Sequence, residues 1–465
     1  MEGGRLLSSK YKVVSLFSGA MGLDLGLEAT GRFEVIACVE KEPVFAETIR
    51  RNLKARRLYD GLKVYECDIN DLSPSEVLDD LNVPLGEIDL LVGGPPCQSF
   101  STAGRRRTVQ DSRGTLLWQY LKFIEGMLPR FFLMENVRGL LSAALCHRPI
   151  SNRPQKGGPP LTHDEEPGSV IKLFAKDLQH VKGGAYHMDC FEVNAVNYGA
   201  PQLRERALFI GNRYNIQVNF PDPTHGQPSE KTFHQERLFD HKRESLQPWR
   251  TLGEVIGDLH EDDPAIMDFS PRKKKYLSMI PPGSNWRSLP VEVQKESMGK
   301  AWSAKGGRSG WWRRLSYDLP CPTLVTMPNH AGTSLCHPEH IRALTLREYA
   351  RVQEFPDEWE FFGTPAQQYA QVGNAVPVRL GAVAGSVIIR ELDNLREREY
   401  TISSAPVPNY RVIYIQSHIR TRKWFKEGKT YVWHDGCDNG HSNYPTPRTR
   451  RKTRKMMSTK AAYAN

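Results

Sequence analysis

Short apolar runs alternate with amphipathic stretches over the first 215 residues of the chain. Pro43 fits the first turn of one such stretch, where Phe45, Ile49 and Leu53 recur every four residues and mark an apolar helix face. The apolar runs have the length of buried strands, and they occupy residues 12–17, 34–39, 63–67, 88–92, 130–134 and 206–211. Strands that alternate with helices predict a parallel sheet covered on both faces, which is the doubly wound α/β class.

This alternation stops after Arg213. Residues 215–335 are rich in Pro, Gly, Trp and polar side chains, whereas residues 341–395 return to helical patterns. Thr345 and Glu348 fit the N-cap and the capping-box partner of a helix over 345–353, and a second helix is predicted over 381–392. A loop of small residues, 371–377, separates the two. The pattern divides the chain into a first domain, a second domain, a return segment that completes the first, and an extension, over 1–214, 215–335, 336–395 and 396–465.

The positive charge of the protein is concentrated near its C-terminal end. The chain has 465 residues and a net charge of +10, and residues 401–465 contribute 13 Lys and Arg against 3 Asp and Glu. The body is therefore balanced, and its charge gives no argument for nucleic-acid binding. No run reaches the roughly 18 apolar residues of a membrane span, residues 1–10 lack the apolar core of a signal peptide, and the 8 cysteines form no C-x-x-C pair. These features predict a soluble intracellular protein.

A glycine-containing turn, FSGAMG at 17–22, follows the first predicted strand. Glycines at a strand-to-helix turn let a ligand approach the backbone, and an acid about 20 residues further on binds ribose hydroxyls. Glu40 lies 18 residues after Gly22, at the end of the second predicted strand, and fits that place. Asp68 follows the third strand and is either an acceptor for an adenine amino group or a helix cap. The turn fits a dinucleotide or S-adenosylmethionine, with a plain packing turn as the alternative.

Cys97 lies in the segment GGPPCQSFS, 93–101, directly after the predicted strand 88–92. This position is at the carboxyl edge of the sheet, where α/β folds bind their ligands. The flanking glycines and prolines exclude a core strand or helix. A poised nucleophile is therefore favoured over a small buried side chain.

Two more polar motifs flank predicted strands. Glu135-Asn136-Val137 directly follows the strand 130–134, and the segment 202–206 (QLRER) leads into the strand 206–211. Gln202, Arg204 and Arg206 share one face if the backbone there is extended. A solvated sheet edge is the alternative interpretation of these three side chains.

Six motifs in this order resemble those of the DNA (cytosine-5)-methyltransferase family, of the bacterial modification type. They are FSGAMG at 17–22, PCQ at 96–98, ENV at 135–137, QLRER at 202–206, LTLRE at 344–348 with FPD at 355–357, and QVGNAVP at 371–377. The resemblance spans residues 12–392 and rests on the order and spacing of the motifs. It implies a Rossmann-like, S-adenosylmethionine-dependent catalytic domain over 1–214, completed by 336–395, and a smaller target-recognition domain over 215–335.

The resemblance implies transfer of a methyl group from S-adenosylmethionine to C5 of a cytosine in duplex DNA, leaving S-adenosylhomocysteine. Cys97 matches the nucleophile that adds to C6, because C5 becomes nucleophilic only when the ring is converted to an enamine. Glu135 matches the carboxyl at N3 and Arg206 the residue that holds O2, while Arg204 and Gln202 support the loop. The base must leave the stack, at a cost of roughly a few kcal/mol. The C5 proton is removed by a base for which the family offers no obvious side chain, and water is a candidate.

The resemblance also assigns two sets of binding residues. The cofactor set is Phe17, Gly19, Met21, Gly22, Glu40, Lys41, Asp68, Ile69, Pro96, Asn374 and Ala375. Lys41 departs from the family, which often has an aromatic residue beside the ribose-binding acid. The DNA set is Gln98, Ser101, Arg105, Arg106, Arg107, Arg313, Arg314 and Thr323, with the loop 99–114 closing over the duplex. The alternatives are a merely solvated basic loop at 105–107 and, for the cluster 302–314, tryptophans that form the core of the second domain.

The same resemblance predicts a metal-free monomer in the bacterial cytoplasm, paired with a restriction endonuclease that acts on the same site without a stable complex. A nucleotide-dependent oxidoreductase would leave Cys97, Glu135 and Arg206 without roles. A tRNA-methylating enzyme is disfavoured because those members have a shorter recognition segment, and a non-catalytic regulator is disfavoured because every catalytic position is filled.

Residues 448–455, six of them Lys or Arg, either contact phosphates or form a solubilising end. His434-x-x-Cys437-x-x-x-His441 offers too few ligands to predict a metal.

Overall fold

An eight-stranded sheet forms the centre of the protein. The structure is a computed structural model that describes residues 10–96, 115–227, 246–264, 266–303, 310–397, 401–402 and 410–415. The strands are β1 (Tyr11–Leu16), β2 (Phe33–Glu40), β3 (Lys63–Glu66), β4 (Leu90–Gly93), β5 (Phe131–Asn136), β6 (His187–Asn194), β7 (Glu205–Asn212) and, after the short pair β8 (His225–Gly226) and β9 (Gln247–Pro248), β10 (Arg411–Tyr414). Their order across the sheet is β10-β6-β7-β5-β4-β1-β2-β3. The chain reverses its direction of travel across the sheet between β1 and β4, which is where doubly wound folds open a ligand crevice.

Helices cover both faces of this sheet and confirm the doubly wound α/β prediction. They are α1 (Gly22–Glu28), α2 (Pro43–Lys54), α3 (Pro74–Leu81), α4 (Leu116–Met127), α5 (Ser169–Leu178), α6 (Leu252–Ile256), α7 (Pro271–Ser278), α8 (Val291–Met298), α9 (Leu346–Val352), α10 (Pro365–Asn374) and α11 (Val378–Glu397). Apolar side chains of α1, α2 and α11 pack on one face of the sheet, and those of α3, α4 and α5 pack on the other. The helix α11 therefore returns to the central sheet after residues 215–335.

Local signals in the sequence explain where several helices begin. Thr345 caps α9 as predicted, since its hydroxyl accepts from the Glu348 backbone N–H while the Glu348 carboxylate accepts from the Thr345 N–H. Thr364 and Gln367 form the same capping box at α10. The loop predicted over 371–377 is shorter than expected, because α10 continues to Asn374 and only residues 375–377 separate it from α11.

The sheet departs from the all-parallel prediction at β7. This strand runs antiparallel to both of its neighbours, β5 and β6. The connection between β6 and β7 is too short for a helical crossover and therefore imposes an antiparallel return. Two strands of this eight-stranded sheet were not predicted: β6, whose polar residues hide its burial, and β10, which lies in the extension.

Residues 252–343 contain a second core. Phe269, Tyr276, Trp286 and Trp312 are buried together there, so the tryptophan at 312 belongs to the interior of this segment. A third apolar cluster joins this segment to the first domain through Leu252, Tyr349, Tyr369 and neighbouring side chains.

One stretch of the described chain, Pro365–Glu397, is long and apolar enough to cross a membrane by length and composition. It forms the two helices α10 and α11, and 61% of its most apolar window is buried inside the protein. Gly26 of α1 and Gly381 of α11 bring the two backbones into contact, because a Cβ on Gly381 would lie 2.3 Å from the Leu23 carbonyl oxygen. This is the environment of a core helix.

Candidate active site

The turn after β1 exposes its backbone to a cleft at the carboxyl edge of the sheet. Phe17, Gly19 and Met21 all have positive φ, at 55°, 57° and 64°. Every second residue of this turn therefore adopts the left-handed backbone conformation. Gly22 tolerates no side chain, since a Cβ there would lie 2.4 Å from the Val376 carbonyl oxygen. Close packing by Gly22 therefore seats α1 against the start of α11 and leaves the N–H groups of the turn near the cleft.

Glu40, at the end of β2, is tied to this turn. Its Oε2 accepts the backbone N–H of Gly19 at 2.7 Å, and its Oε1 accepts that of Glu42 at 2.9 Å. Burial raises the pKa of Glu40, and the backbone N–H groups oppose that rise. Each carboxylate oxygen keeps a lone pair beyond these bonds. The side chain lines the cleft and is positioned to accept further hydrogen bonds there.

Lys41 and Asp68 form an ion pair at the same end of the cleft. Lys41 Nζ lies 2.6 Å from Asp68 Oδ2, and the lysine side chain is 65% exposed. Asp68 Oδ1 also accepts the backbone N–H of Asn70, so Asp68 caps a short helical turn as well as lining the cleft. The hydrogen bond from Lys41 lowers the pKa of Asp68. Ile69 is buried beneath this pair and also faces the cleft.

Pro95 and Pro96 end the described part of the segment that carries Cys97. Asn136 Nδ2 donates to the Pro95 carbonyl oxygen at 2.9 Å, and Asn136 Oδ1 accepts the backbone N–H of Val137. A Cβ on Gly94 would lie 3.2 Å from Glu135 Oε2, so this segment runs close beside the carboxylate. Cys97, Gln98, Ser101, Arg105, Arg106 and Arg107 lie outside the described residues.

Glu135 and Arg206 face each other across the two antiparallel strands β5 and β7. Glu135 Oε1 and Arg206 Nε are 2.5 Å apart, and both side chains are 12% exposed in the wall of the cleft. Arg206 Nη1 also donates to the Glu205 carbonyl oxygen. The pairing of Asn136 with Ala207 sets this geometry, because it places Glu135 and Arg206 at the same end of the strand pair.

Gln202 and Arg204 are directed into the protein and not toward Glu135. Arg204 is 2% exposed and donates to the carbonyl oxygens of Leu324, at 3.1 Å, and Gly373, at 2.9 Å. Burial lowers the pKa of Arg204, and neighbouring Arg206 lowers it further. Gln202 Oε1 accepts the Leu324 backbone N–H, and its Nε2 donates to Gln353 Oε1. These two side chains join the start of β7 to the segments around residues 324 and 373.

The QVGNAVP segment closes the cleft from α10. Asn374 is exposed, Ala375 is buried, and both line the cleft. Gly373 packs directly on backbone, because a Cβ there would lie 2.6 Å from the Val325 carbonyl oxygen. Thr323 lies on the same wall, and its hydroxyl donates to the Leu203 carbonyl oxygen at 2.6 Å.

The two arginines predicted to contact DNA in the second domain differ in their surroundings. Arg314 donates to the carbonyl oxygens of Pro338, Ile280 and Glu339, and it thereby binds its own segment to the chain at 280 and at 338–339. Arg313 is half-buried. Burial disfavours the charged form of its guanidinium and lowers its pKa to about 10. Neither residue lines the cleft, and their contact with DNA stays a prediction.

Two residues of the site were missed in the sequence. Gln353 is fully buried at the end of α9 and donates to the carbonyl oxygens of Val372, at 2.7 Å, and Ala375, at 2.9 Å. Asp24 is buried in the first turn of α1, where burial raises its pKa to about 6. Both residues could have been recognised in the sequence, because each is a polar residue at a position that the helix pattern assigns to the buried face.

The cleft formed by these residues has a volume of about 2320 Å³ and runs from the turn after β1 to Glu135 and Arg206. Acidic side chains and the backbone N–H groups of the turn after β1 lie at one end of the cleft. A carboxylate–guanidinium pair lies at the other end. Within the described residues no group of three His, Cys, Asp or Glu side chains could hold a metal ion. The segment 434–441 lies outside those residues.

Comparison with known proteins gives concordant results. The family model for C-5 cytosine-specific DNA methylases matches residues 11–151 and 161–390. The type II methyltransferase M.Sau96I of Staphylococcus aureus is 35% identical over 385 residues, which cover 82% of this chain and 76% of that protein. M.PspPI of Psychrobacter sp. (strain TA137) is 34% identical over 83% of this chain and 80% of its own length. In fold, the chain resembles a DNA modification methyltransferase encoded within an E. coli prophage, with a TM-score of 0.52 and 23% identity over 83% of this chain and all of that one.

Proposed function

The chain belongs to the C-5 cytosine-specific DNA methylase family, and on that premise we propose that it methylates C5 of a flipped-out cytosine in a specific duplex DNA sequence through a covalent adduct with Cys97. The observation that carries the proposal is the Glu135–Arg206 pair, 2.5 Å apart and beside the segment that leads to Cys97. A carboxyl and a guanidinium side by side match the N3 and O2 edge of a cytosine.

The proposed chemistry begins at Cys97. Its thiolate forms a bond to C6, and the electron pair of the C5–C6 double bond moves into the ring toward N3. Glu135 stabilises the charge at N3 by donating a proton or a hydrogen bond, while Arg206 donates to O2. C5 then carries the electron pair for a bond to the methyl group that S-adenosylmethionine would supply, and S-adenosylhomocysteine would leave with the electrons of the broken S–CH3 bond. A base, for which water is the candidate, removes the C5 proton; the electrons of that C–H bond restore the C5–C6 double bond and expel the Cys97 thiolate, while N3 returns any proton to Glu135.

The residues at the other end of the cleft fit S-adenosylmethionine, which supplies an electrophilic methyl group when bound. Glu40 already orients its carboxylate through the N–H groups of Gly19 and Glu42, so its remaining lone pairs can accept from ribose hydroxyls. Asp68 is assigned to the adenine amino group, and Lys41 holds its carboxylate in place. Asn374 and Ala375 close the cleft on the opposite side.

DNA is the proposed macromolecular partner. The target base must leave the stack to reach Glu135, at a cost of roughly a few kcal/mol, and the open cleft of about 2320 Å³ accommodates it beside the cofactor. The segment 215–335 is proposed to read the sequence. We further propose that the enzyme acts as a monomer in the bacterial cytoplasm and protects host DNA from a restriction endonuclease that recognises the same site.

Methyl transfer from labelled S-adenosylmethionine tests the proposal directly. The protein is incubated with mixed-sequence duplex DNA and, separately, with RNA, beside the variants Cys97→Ser and Cys146→Ser. Cys146 is a matched control, since it is partly exposed and does not line the cleft. Label at cytosine C5 of DNA, lost in Cys97→Ser and kept in Cys146→Ser, is the expected result, whereas label on RNA alone would transfer the assignment to an RNA methyltransferase.

A trapped complex tests the covalent step. Fluorine at C5 of the target cytosine leaves no proton to remove after transfer, so the adduct with Cys97 cannot break down. The duplex should then remain attached to the protein under denaturing conditions, and Cys97→Ser should abolish the attachment. DNA binding without transfer, in protein shown to bind the cofactor, would refute the enzymatic proposal.

A further inference from the structure

A buried carboxylate that the proposed chemistry does not use lies in the wall of the cleft. Asp24, in the first turn of α1, is only 2% exposed, yet it lines the cleft together with Ser15 and Ser18. Its Oδ1 atom is buried and has no hydrogen-bond partner among the described residues. An unpaired buried acceptor destabilises a folded protein, so this carboxylate needs a donor that the described chain does not supply.

The surroundings of Asp24 are polar and contribute no positive charge. Burial raises the pKa of Asp24 to about 6, while a hydrogen bond from the Ser15 side chain opposes that rise. The Ser18 hydroxyl donates in turn to Ser15 Oγ at 2.9 Å. Within the described residues no Lys or Arg side chain compensates the charge of Asp24. Burial, with a smaller contribution from that charge, also raises the pKa of Glu28 to about 7. This part of the cleft wall therefore suits a cationic group.

The same group of side chains adjoins the position assigned to S-adenosylmethionine. Ser15 pairs with β2 on one side and with β4 on the other, so it lies where the strand order of the sheet reverses. Ser18 directly precedes Gly19, whose backbone N–H donates to Glu40. Asp24 is thus connected through two serines to the turn that orients the proposed ribose-binding carboxylate.

The donor groups of S-adenosylmethionine leave one partner for Asp24. In the proposed function Glu40 accepts from the ribose hydroxyls and Asp68 accepts from the adenine amino group. The other hydrogen-bond donor of the cofactor is the α-ammonium group of its methionine part, which carries N–H donors and a positive charge. The sulfonium is also a cation, but it has no N–H or O–H to donate. A buried carboxylate with an unpaired acceptor is stabilised by a donor and a countercharge together, and the ammonium supplies both.

We propose that Asp24 is a cofactor-binding residue that accepts a hydrogen bond from the α-ammonium group of S-adenosylmethionine, with Ser15 orienting its carboxylate. The contact fixes the methionine part of the cofactor and thereby helps to direct the methyl group. This inference rests on the proposed function for the identity of the cofactor, and it adds to that function a residue outside the sets assigned from the sequence.

Titration calorimetry with two ligands tests the contact without methyl transfer. One ligand is S-adenosylhomocysteine, and the other is its analogue in which hydrogen replaces the α-ammonium group. The proteins are the full chain, Asp24→Asn, Ser15→Ala and the control Asp89→Asn. The asparagine keeps the shape of the aspartate and removes its charge. Asp89 is a matched control, since it is also a buried acid but does not line the cleft.

The full chain should bind S-adenosylhomocysteine about ten- to a hundredfold more tightly than the analogue, as expected for a hydrogen bond between charged groups. Asp24→Asn should raise the Kd of S-adenosylhomocysteine by about the same factor and leave the Kd of the analogue nearly unchanged. Ser15→Ala should reduce the discrimination between the ligands by about two- to tenfold, and Asp89→Asn should retain it. Unchanged binding of the analogue also shows that a variant is folded.

Equal weakening of both ligands in Asp24→Asn would make Asp24 a structural residue and overturn the inference, as would a discrimination equal to that of the full chain. A larger loss of affinity for S-adenosylmethionine than for S-adenosylhomocysteine would place Asp24 at the sulfonium instead. If Asp24→Asn fails to fold, the full chain and Ser15→Ala still decide, because a full chain that does not discriminate between the ligands refutes the contact. A full chain that binds neither ligand would count against the proposed function as well, whereas the other results leave that function intact.

Discussion

Arg204 and Arg206 are two residues apart, yet the structure predicts opposite consequences for the same substitution. Arg204→Met removes a buried guanidinium that donates to the amide oxygen of nearby Gln202 and to carbonyl oxygens of two distant segments, at Leu324 and Gly373. Arg206→Met removes the cation that faces Glu135 in the wall of the cleft. We expect the first change to cost stability and the second to cost catalysis.

The expected changes in stability and in kcat follow from the hydrogen-bonding groups that each substitution leaves without a partner. Without Arg204, the carbonyl oxygens of Leu324 and Gly373 lose donors at 3.1 and 2.9 Å, and each unpaired buried acceptor costs about 1–3 kcal/mol. Relief from burying the guanidinium charge offsets part of this. A net loss of about 2–4 kcal/mol in the free energy of unfolding is expected. Without Arg206, Glu135 still borders the open cleft, where water can take the place of the guanidinium, so the loss of stability should be smaller than for Arg204→Met, whereas the loss of a donor at O2 should lower kcat by about 10²–10³-fold.

Urea unfolding followed by tryptophan fluorescence measures the first quantity, and single-turnover methylation measures the second. Arg204→Met should lower the unfolding midpoint and, where still folded, weaken cofactor binding, because Gly373 lies in the segment that closes the cofactor end of the cleft. An Arg204→Met protein with an unchanged midpoint and no turnover would show that Arg204 acts on the substrate. An Arg206→Met protein as unstable as Arg204→Met would show that the Glu135–Arg206 pair is structural.

Three further predictions concern single contacts. Asn136→Asp keeps the shape of the side chain but removes the donor to the Pro95 carbonyl oxygen, so kcat should fall about a hundredfold through misplacement of the adjoining segment, while the dissociation constant of the cofactor, measured by titration, stays unchanged. Gly373→Ala should cost about 1–3 kcal/mol of stability in urea unfolding and raise the KM for the cofactor, because its Cβ would lie 2.6 Å from the Val325 carbonyl oxygen. Burial lowers the pKa of His337 to about 4; the unfolded chain binds a proton there near pH 6.5, so stability should be lost as pH falls from about 6.5 to 4, by roughly 3 kcal/mol. His337→Gln should flatten that part of the pH–stability curve, and an unchanged curve would contradict the assignment.

Much of the sheet was predictable because its strands are short, apolar and separated by helices. The predicted run 34–39 corresponds to β2, Phe33–Glu40, and the run 206–211 to β7, Glu205–Asn212. The strand β6 escaped prediction because His187 and Asp189 are polar but buried against each other, at 3.0 Å. A hydrogen-bonded pair of polar side chains in a core strand interrupts the apolar pattern from which buried strands are recognised.

The end of the cleft that holds Gly19 and Glu40 was more predictable than the segment 215–335 for a physical reason. Turn glycines and strand-end acids are close in sequence to the strands that position them, so the spacing of Gly19 and Glu40 is enough to pair them. Arg314 carries no such local sign, and its three carbonyl partners come from loops up to 34 residues away. A basic residue near tryptophans predicts a DNA contact and a structural clamp equally well.

The network around Arg204 gives a reason for the unusual path of the chain. The segments around Leu324 and Gly373 flank the return from the second domain, and both are bound by a single side chain at the start of β7. Gln353 extends the same network to Ala375 in the wall of the cleft. Any shift that displaces Leu324 must therefore strain the hydrogen bonds that hold the segment 371–377. Since Arg206 follows Arg204 by two residues and faces Glu135, we infer that the same strain reaches the Glu135–Arg206 pair. In the function that we propose, DNA recognition and cofactor binding therefore meet at one buried arginine, which gives a reason why a residue that does not touch the base belongs to the same motif as one that does.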